Sequence, residues 1–422
     1  MTPWAGAAQA VLARYIDAGR LAGAVTRIWR DGKLEFSGSA GYRDIERGIA
    51  MGDDAIFQVA SMTKPIVSVA ALQLVEEGKL RLDDPIAKWL PEFASPRILD
   101  DPAGPLDRTH PAARGITVDD LLTQRAGFGY AFAEAGPIAV ALAEGVGNVL
   151  HSPLDADGWI AALAELPLLS APGERFRYGH ATEVLGCLIG RIDGTSLGAS
   201  LERRVLRPLG MEDTAFFVPP AKLGRLARMY RRGAAGFADV TDVPTVSPRF
   251  EAGGGGLYST AGDYLKFARM LLGKGELEGA RILSVASCEA LGRNQLTATQ
   301  RALGGLGQPG FFARTGFGYG VHVVIEPEAP LFAGVGTMSW GGIFGTAWRL
   351  DPVNRRISLF FAQDFADASA GPDRRDPAET TPAAALQAEI EQMAWGKLPA
   401  RAGLDRGWVR LARRHRSSGA GR

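Results

Sequence analysis

Ser61-Met62-Thr63-Lys64 sets a hydroxyl and an amine three residues apart. On a helix that spacing brings both side chains to one face. A serine hydroxyl is a weak nucleophile until a neighbouring base takes its proton. A lysine that is buried, or that sits beside another cation, can fill that role. The chemistry on offer is acyl transfer through a covalent serine ester. An S-x-x-K spacing alone is weak evidence, because short motifs recur by chance and an exposed Ser–Lys helix pair looks identical. It occurs once in this chain, so its setting decides what it means.

The elements that must position the pair can be read from the surrounding pattern. Ser61 to Glu77 reads as a helix: Ile66, Val69, Ala70, Leu72 and Val75 recur near helical spacing, and Gly78 stops it. Pro65 has to fall in or near the first turn, since a later proline would break the helix. Ser61 therefore belongs at the helix N-terminus, where the positive end of the dipole favours a developing anion. Upstream, residues 4–19 read as an amphipathic helix. Ala24 to Tyr42 read as a β-hairpin, with Val25, Ile28 and Trp29 on one arm, Leu34 and Phe36 on the other, and Asp31-Gly32 as the turn.

Residues 96–225 look mostly helical and loop-rich, with helices expected at Val118–Leu122, Pro137–Gly145, Trp159–Leu166, Glu183–Ile192 and Leu197–Leu206. Glu251–Gly256 is a glycine loop, followed by a helix over Thr260–Leu272 with Asp263 in its first turn. After Gly316 the pattern turns to strands at Tyr319–Ile325, Ile343–Leu350 and Arg356–Ala362, then to a helix at 383–394. The order predicts an α+β fold: an antiparallel sheet built from both chain ends, flanked by helices, with a helical region inserted between. The expected division is a catalytic domain over 1–396, with a sheet subdomain at residues 1–95 plus 250–396 and a helical subdomain at residues 96–249. Residues 397–422 carry eight Lys/Arg and one acid and read as a poorly ordered basic tail, although Trp408, Val409 and Leu411 allow a short amphipathic helix.

The 422 residues suffice for a large core; 46% hydrophobic and 22% charged residues are ordinary for a globular protein. A net charge of +1 gives no reason to expect nucleic acid or an anionic membrane as partner. Cys187 and Cys288 are too few for a disulfide framework and read as reduced, buried residues. No secretory signal and no membrane-spanning run is evident, so the expected address is cytoplasmic. No P-loop, dinucleotide fingerprint or metal-ligand spacing appears; His110, His151, His322 and His415 read as structural or exposed, and no cofactor is expected.

Three segments give the serine a context: Phe57-Gln58-Val59-Ala60-Ser61-Met62-Thr63-Lys64-Pro65, Pro172-Gly173-Glu174-Arg175-Phe176-Arg177-Tyr178-Gly179-His180 and Ser339-Trp340-Gly341-Gly342-Ile343-Phe344-Gly345. With Gly78-Lys79-Leu80-Arg81-Leu82-Asp83-Asp84-Pro85 and Pro208-Leu209-Gly210-Met211, they resemble the serine β-lactamase and penicillin-binding-protein superfamily. The resemblance runs over about residues 10–395 and is nearest to the class C β-lactamase-like esterases called family VIII carboxylesterases. It implies Ser61 as nucleophile, Lys64 as its base partner and Tyr178 as the tyrosine of the Y-x-N element, which shares the Lys64 proton and later activates water. Whether Lys64 or Tyr178 takes the serine proton first stays open. Backbone N–H groups of Ser61 and Ile343 would form the oxyanion hole, with Gly341 and Gly342 letting substrate approach the strand edge.

Two departures carry information. Trp340 stands where β-lactamases carry a lysine for the substrate carboxylate, and His180 replaces the asparagine that contacts the antibiotic's side-chain amide. Both favour a neutral ester over an anionic β-lactam. Trp340, His180, Phe128, Tyr130 and Phe344 are the candidate substrate-binding residues, each also readable as ordinary packing.

The expected function is a metal-free serine hydrolase of small carboxylic esters. Alternatives are an amidase, a D-amino-acid peptidase or a weak β-lactamase of the same fold, an acyltransferase, and a non-catalytic ligand-binding module. One decoy stands out. Gly194-Thr195-Ser196-Leu197-Gly198 matches the G-x-S-x-G nucleophile elbow, which requires a strand before it and a helix after it. Here the preceding segment reads as helix, so Ser196 reads as a helix cap.

Overall fold

Asp31 and Gly32 both adopt positive φ (46° and 89°), the conformation of a tight hairpin turn whose twist matches the flanking strands. That turn joins β1 (Gly23–Arg30) to β2 (Lys33–Asp44). The computed structural model describes residues 3–147, 150, 152–233, 236–303, 305–306, 310–327, 333–365 and 381–395. The remaining strands of the main sheet are β3 (Ile49–Ala50), β4 (Thr315–Phe317), β5 (His322–Val324), β6 (Met338–Gly342), β7 (Thr346–Asp351) and β8 (Arg356–Ala362). They lie in the order β4-β5-β6-β7-β8-β1-β2-β3, antiparallel throughout. The sheet is open rather than closed into a barrel, and strands from both chain ends meet where β8 pairs with β1.

Five helices position the site: α1 (Pro3–Asp17), α2 (Thr63–Glu76), α3 (Ala181–Asp193), α4 (Ala261–Leu272) and α5 (Pro382–Trp395). α1 and α5 cover one sheet face, where Ala24, Ile28, Phe36, Phe360 and Ala362 meet Ala8, Leu12, Leu386, Ile390 and Trp395. The opposite face presents Val25, Trp29, Trp348, Leu359 and Phe361 to the main core, which includes α2 and α4. Covered on both faces, β8 is buried at all seven positions, and its run of apolar residues follows from that rather than from simple alternation. α2 is buried around most of its circumference over Thr63–Leu72, as a helix through the middle of a core must be.

Two strand boundaries differ from the sequence reading. The segment expected as one strand from Ile343 to Leu350 is a hairpin: β6 ends at Gly342, Ile343-Phe344-Gly345 turn, and β7 begins at Thr346. Gly345 supplies the positive φ (87°) that the turn needs, which is why an apolar run breaks there. Likewise Tyr319–Ile325 reduces to β5, because Gly318 donates back to the Val321 carbonyl in a tight turn before it. Between residues 96 and 249, helices at Val118–Leu122, Pro137–Gly145, Ala156–Ala164, α3 and Leu197–Leu201 are joined by two short hairpins, Arg97–Leu99 with Thr109–Pro111 and Tyr230–Gly233 with Gly236–Asp239. Among the described residues no helix is long and apolar enough to cross a membrane, and no His/Cys/Asp/Glu group could hold a metal. Cys187 and Cys288 are buried free thiols, and burial pushes Cys187 up to about 12. The basic tail, His151 and His415 lie outside the described residues.

Candidate active site

Ser61 sits on a single 3-10 turn, Ala60–Met62, that runs straight into α2. The chain arrives from a short strand, Phe57-Gln58, paired with Tyr258-Ser259. To make so sharp a corner Ala60 takes φ +45°, a left-handed conformation that costs an alanine about 1–2 kcal/mol. Surrounding bonds hold the corner in place. Val59 donates to the Leu257 carbonyl (3.0 Å) and accepts from Thr346 Oγ1 (3.2 Å). Tyr264 from α4 donates to the Met62 carbonyl (2.9 Å), and Leu257 N–H donates to Thr63 Oγ1 (3.1 Å). A nucleophile fixed this way keeps its geometry when substrate binds.

Lys64, one turn along, is completely buried. Its Nζ donates to the Gly254 carbonyl (2.7 Å) in the glycine loop and to Ser61 Oγ (3.2 Å). It also lies 4.6 Å from the ring centroid of Tyr178 and 5.3 Å from that of Tyr130, positions where an aromatic face attracts a cation. Tyr178 completes the group, its hydroxyl donating to Ser61 Oγ at 2.7 Å. Gln124 grips the Tyr178 segment from both sides: its carbonyl accepts from Arg177 N–H (2.8 Å) and its Oε1 from Gly179 N–H (3.2 Å). Gly179 allows this approach, since a Cβ there would lie 2.1 Å from the Phe128 carbonyl oxygen.

The strand beside this group is β6. Among the described residues its partner β5 pairs with Met338 and Ser339 alone, so Trp340-Gly341-Gly342 have one edge unpaired by the sheet. The indole of Trp340 packs 5.5 Å from the Tyr178 ring and 5.4 Å from Phe317. The two glycines have different reasons. Gly341 is exposed, with its nearest neighbour for a Cβ at 3.3 Å. A Cβ on Gly342 would meet Thr346 Oγ1 at 2.3 Å and the Val59 carbonyl at 2.5 Å. Gly342 thus has a reason to be glycine beside substrate approach: the serine corner already fills the space a Cβ would take. Ile343 follows at the turn, its side chain 48% exposed beside the corner.

The other sequence candidates lie deeper. Phe128 is buried edge-to-face on Phe93 in the main core. Tyr130 lies behind Lys64 and donates to both oxygens of Glu183 (3.0 and 3.1 Å). His180, 2% exposed, packs against Tyr130 (4.6 Å) and Trp159 (5.3 Å). Burial, with help from the Lys64 charge, pushes its imidazole down to about 3. Phe344 packs in a separate cluster with Ala60 and Met229 and stacks on Phe365. Trp340, Gly341, Gly342 and Ile343 therefore lie along the strand edge and its turn, and of the deeper aromatic residues Tyr130 backs the reacting group, edge-on to Tyr178 at 5.4 Å.

Sequence reasoning passed over Gln124 and Glu183. Gln124 has a positive φ (57°) in a loop, with no pattern that would single it out. Glu183 lies in the first turn of α3, where an acid reads as a routine partner for the helix dipole. It is instead completely buried, and burial raises its carboxyl against the opposing pull of Lys64. Ser196 is an exposed N-cap accepting from Ala199 N–H (3.2 Å), with α3 ahead of it, as the helix reading required.

An open antiparallel sheet with helices on both faces, and a serine turned out at the head of a central helix, defines a serine hydrolase-type fold. The chain belongs to the Beta-lactamase family, whose model matches residues 8–381. It is 45% identical over 368 residues to Protein Rv1367c of Mycobacterium tuberculosis, covering 86% of this chain and 90% of that one. It is 33% identical to Esterase EstB of Burkholderia gladioli, over 84% and 88% of the two chains. Among solved structures it is similar to EstCE1, described as a hydrolase with promiscuous acyltransferase activity, with TM-score 0.76, 26% identity and coverage of 93% and 98%. These relatives support a place among family VIII-like esterases.

Proposed function

We propose that the protein is a serine carboxylesterase that works through an acyl-enzyme on Ser61. The observation that carries this reading is the placement of Ser61 Oγ, 2.7 Å from Tyr178 hydroxyl and 3.2 Å from Lys64 Nζ, at a braced corner beside an unpaired strand edge. As Oγ attacks the ester carbonyl, its proton passes to the Tyr178–Lys64 pair. Carbonyl charge moves onto oxygen, where the N–H groups of Ser61 and Ile343 are suited to receive it, each such donor being worth ~3 kcal/mol. Collapse breaks the bond to the alcohol, which leaves with that proton. Water then enters, its oxygen bonds to the acyl carbon as the same pair accepts its proton, and the Oγ–acyl bond breaks, the pair returning the proton to Oγ as the acid leaves.

Trp340 in place of a strand lysine offers apolar surface and no counter-charge, which favours a neutral ester over an anionic lactam. The activity for which EstB is named agrees with an ester substrate, and EstCE1 is described as a hydrolase. The test is a substrate panel: p-nitrophenyl acetate and butyrate, nitrocefin, and a D-Ala-D-Ala peptide. Ester turnover at least a hundredfold above the other two supports the reading; a peptide or lactam preference overturns it. EstCE1's acyltransferase side activity supports a second reading, in which an added alcohol intercepts the acyl-enzyme in place of water. Transfer product formed with added acceptor alcohol measures that partition.

A further inference from the structure

Glu183 is a buried acid that the acylation scheme does not use. It lies under the glycine loop: a Cβ on Gly254 would fall 2.2 Å from its carboxylate, and the carbonyl of that same Gly254 accepts from Lys64 Nζ at 2.7 Å. Its oxygens accept from Tyr130, whose ring is 5.3 Å from Lys64 Nζ. Lys64 and Glu183 are both completely shielded from water. An isolated buried ammonium is costly, so a buried lysine needs a nearby opposite charge or must give up its proton.

The charged and titratable groups around Glu183 can be named element by element. α2 contributes Lys64; the loop after Val118–Leu122 contributes Tyr130; the segment before α3 contributes Tyr178 and His180; α3 itself contributes Cys187 one turn on. His180 is neutral over the working range because burial pushes it down to about 3. Neighbouring carboxylates are committed elsewhere, Glu134 to Arg177 (2.8 Å) and Glu251 to Ser247 and Gly198 N–H. Glu183 is thus the carboxylate paired with the Lys64 shell.

We propose that Glu183 is the positioning residue of this site: its carboxylate is the counter-charge to Lys64 and, through Tyr130 and Gly254, fixes where Lys64 meets Ser61. This rests on the esterase reading and deepens it. The base function of the Lys64–Tyr178 pair appears only after it has lost one proton, so the acidic limb of the pH–kcat/KM profile reports that loss. A carboxylate held beside the pair retains the proton, and its removal moves the limb to lower pH.

The experiment measures kcat/KM for p-nitrophenyl butyrate across the acidic limb in the full-length protein, as wild type, Glu183→Gln, Glu183→Asp and Tyr130→Phe. The glutamine keeps the shape and an acceptor for Tyr130 but removes the charge. The expected result is an acidic limb about one pH unit or more lower in Glu183→Gln, restored in Glu183→Asp, and a smaller move in the same direction in Tyr130→Phe. A Glu183→Gln limb that superimposes on wild type overturns the proposal, even if overall activity falls. Should Glu183→Gln fail to fold, an unmoved Tyr130→Phe limb overturns it. Phosphonate labelling of Ser61 in the wild type separates the failures: no label sinks the esterase reading, whereas a label with an unmoved limb sinks only the role of Glu183.

Discussion

Ser61 and Ser196 are the same residue in two sequence motifs associated with nucleophiles, and the structure gives them opposite surroundings. Ser61 stands on a strained corner, with Lys64 and Tyr178 against its hydroxyl and bonds from Leu257, Tyr264 and Thr346 holding the backbone. Ser196 is exposed and spends its hydroxyl on a backbone N–H of the helix it starts. The difference shows what a motif requires. A serine becomes chemically useful when its hydroxyl lacks a structural duty and meets proton acceptors that the fold has already positioned.

The strongest way to break this comparison is to remove each hydroxyl in turn. Ser61→Ala is expected to lower ester kcat/KM by roughly 10³-fold or more, while Ser196→Ala leaves it within about twofold and lowers stability by about 1 kcal/mol through loss of the cap. Equal effects in steady-state assays and urea melts would erase the distinction. Tyr178→Phe comes next. It keeps the ring contacts to Trp340 and Tyr130 and removes the hydroxyl, for an expected loss of roughly 10²–10⁴-fold in kcat with folding intact. A loss seen mainly in KM would instead make Tyr178 a binding residue.

Gly342→Ala tests the corner without touching a reacting group. The added methyl would crowd the Val59 carbonyl and Thr346 Oγ1, and displacing the corner by even ~1 Å is expected to cost about 10²-fold in kcat. Gly341→Ala, whose methyl would meet the Thr346 carbonyl at 3.3 Å rather than 2.3–2.5 Å, should cost far less, and comparable losses at both positions would argue that the strand edge rather than the corner is at stake.

The smallest effect, taken per pH unit, concerns His180. Its folded-state value, about 3, lies below the usual 6.5, so the native protein resists a proton that the unfolded chain accepts. Its contribution to stability is therefore present above pH 6.5 and is lost as pH falls from there toward 3, by at most about 1.4 kcal/mol per pH unit. Urea melts of His180→Gln should show a shallower decline over that window; an unchanged slope would mean the imidazole is protonated in the native state.

Much of this molecule is legible in its sequence. The Asp31-Gly32 hairpin and α2 with Pro65 in its first turn follow from local turn chemistry and periodicity, β8 is legible as a short, largely apolar run, and the three ordered segments name residues that the fold brings together. The rest depends on contacts distant in sequence. Glu183 is unusual only because Gly254 and Tyr130 close over it, and Gln124 only because it grips a segment more than fifty residues away. Gly342 reads as an open edge because nothing local reveals that Val59 sits against it. The break at Ile343 is obscured by an apolar run on both sides of a turn.

The central claim is that Ser61 alone carries the acyl group. Its most direct test is the intact mass of the protein after incubation with a p-nitrophenyl phosphonate ester, followed by digestion to locate the adduct. The predicted result is one adduct per chain, on Ser61, absent from Ser61→Ala. An adduct on Ser196 or any other residue, or esterase turnover with no adduct on Ser61, would contradict it.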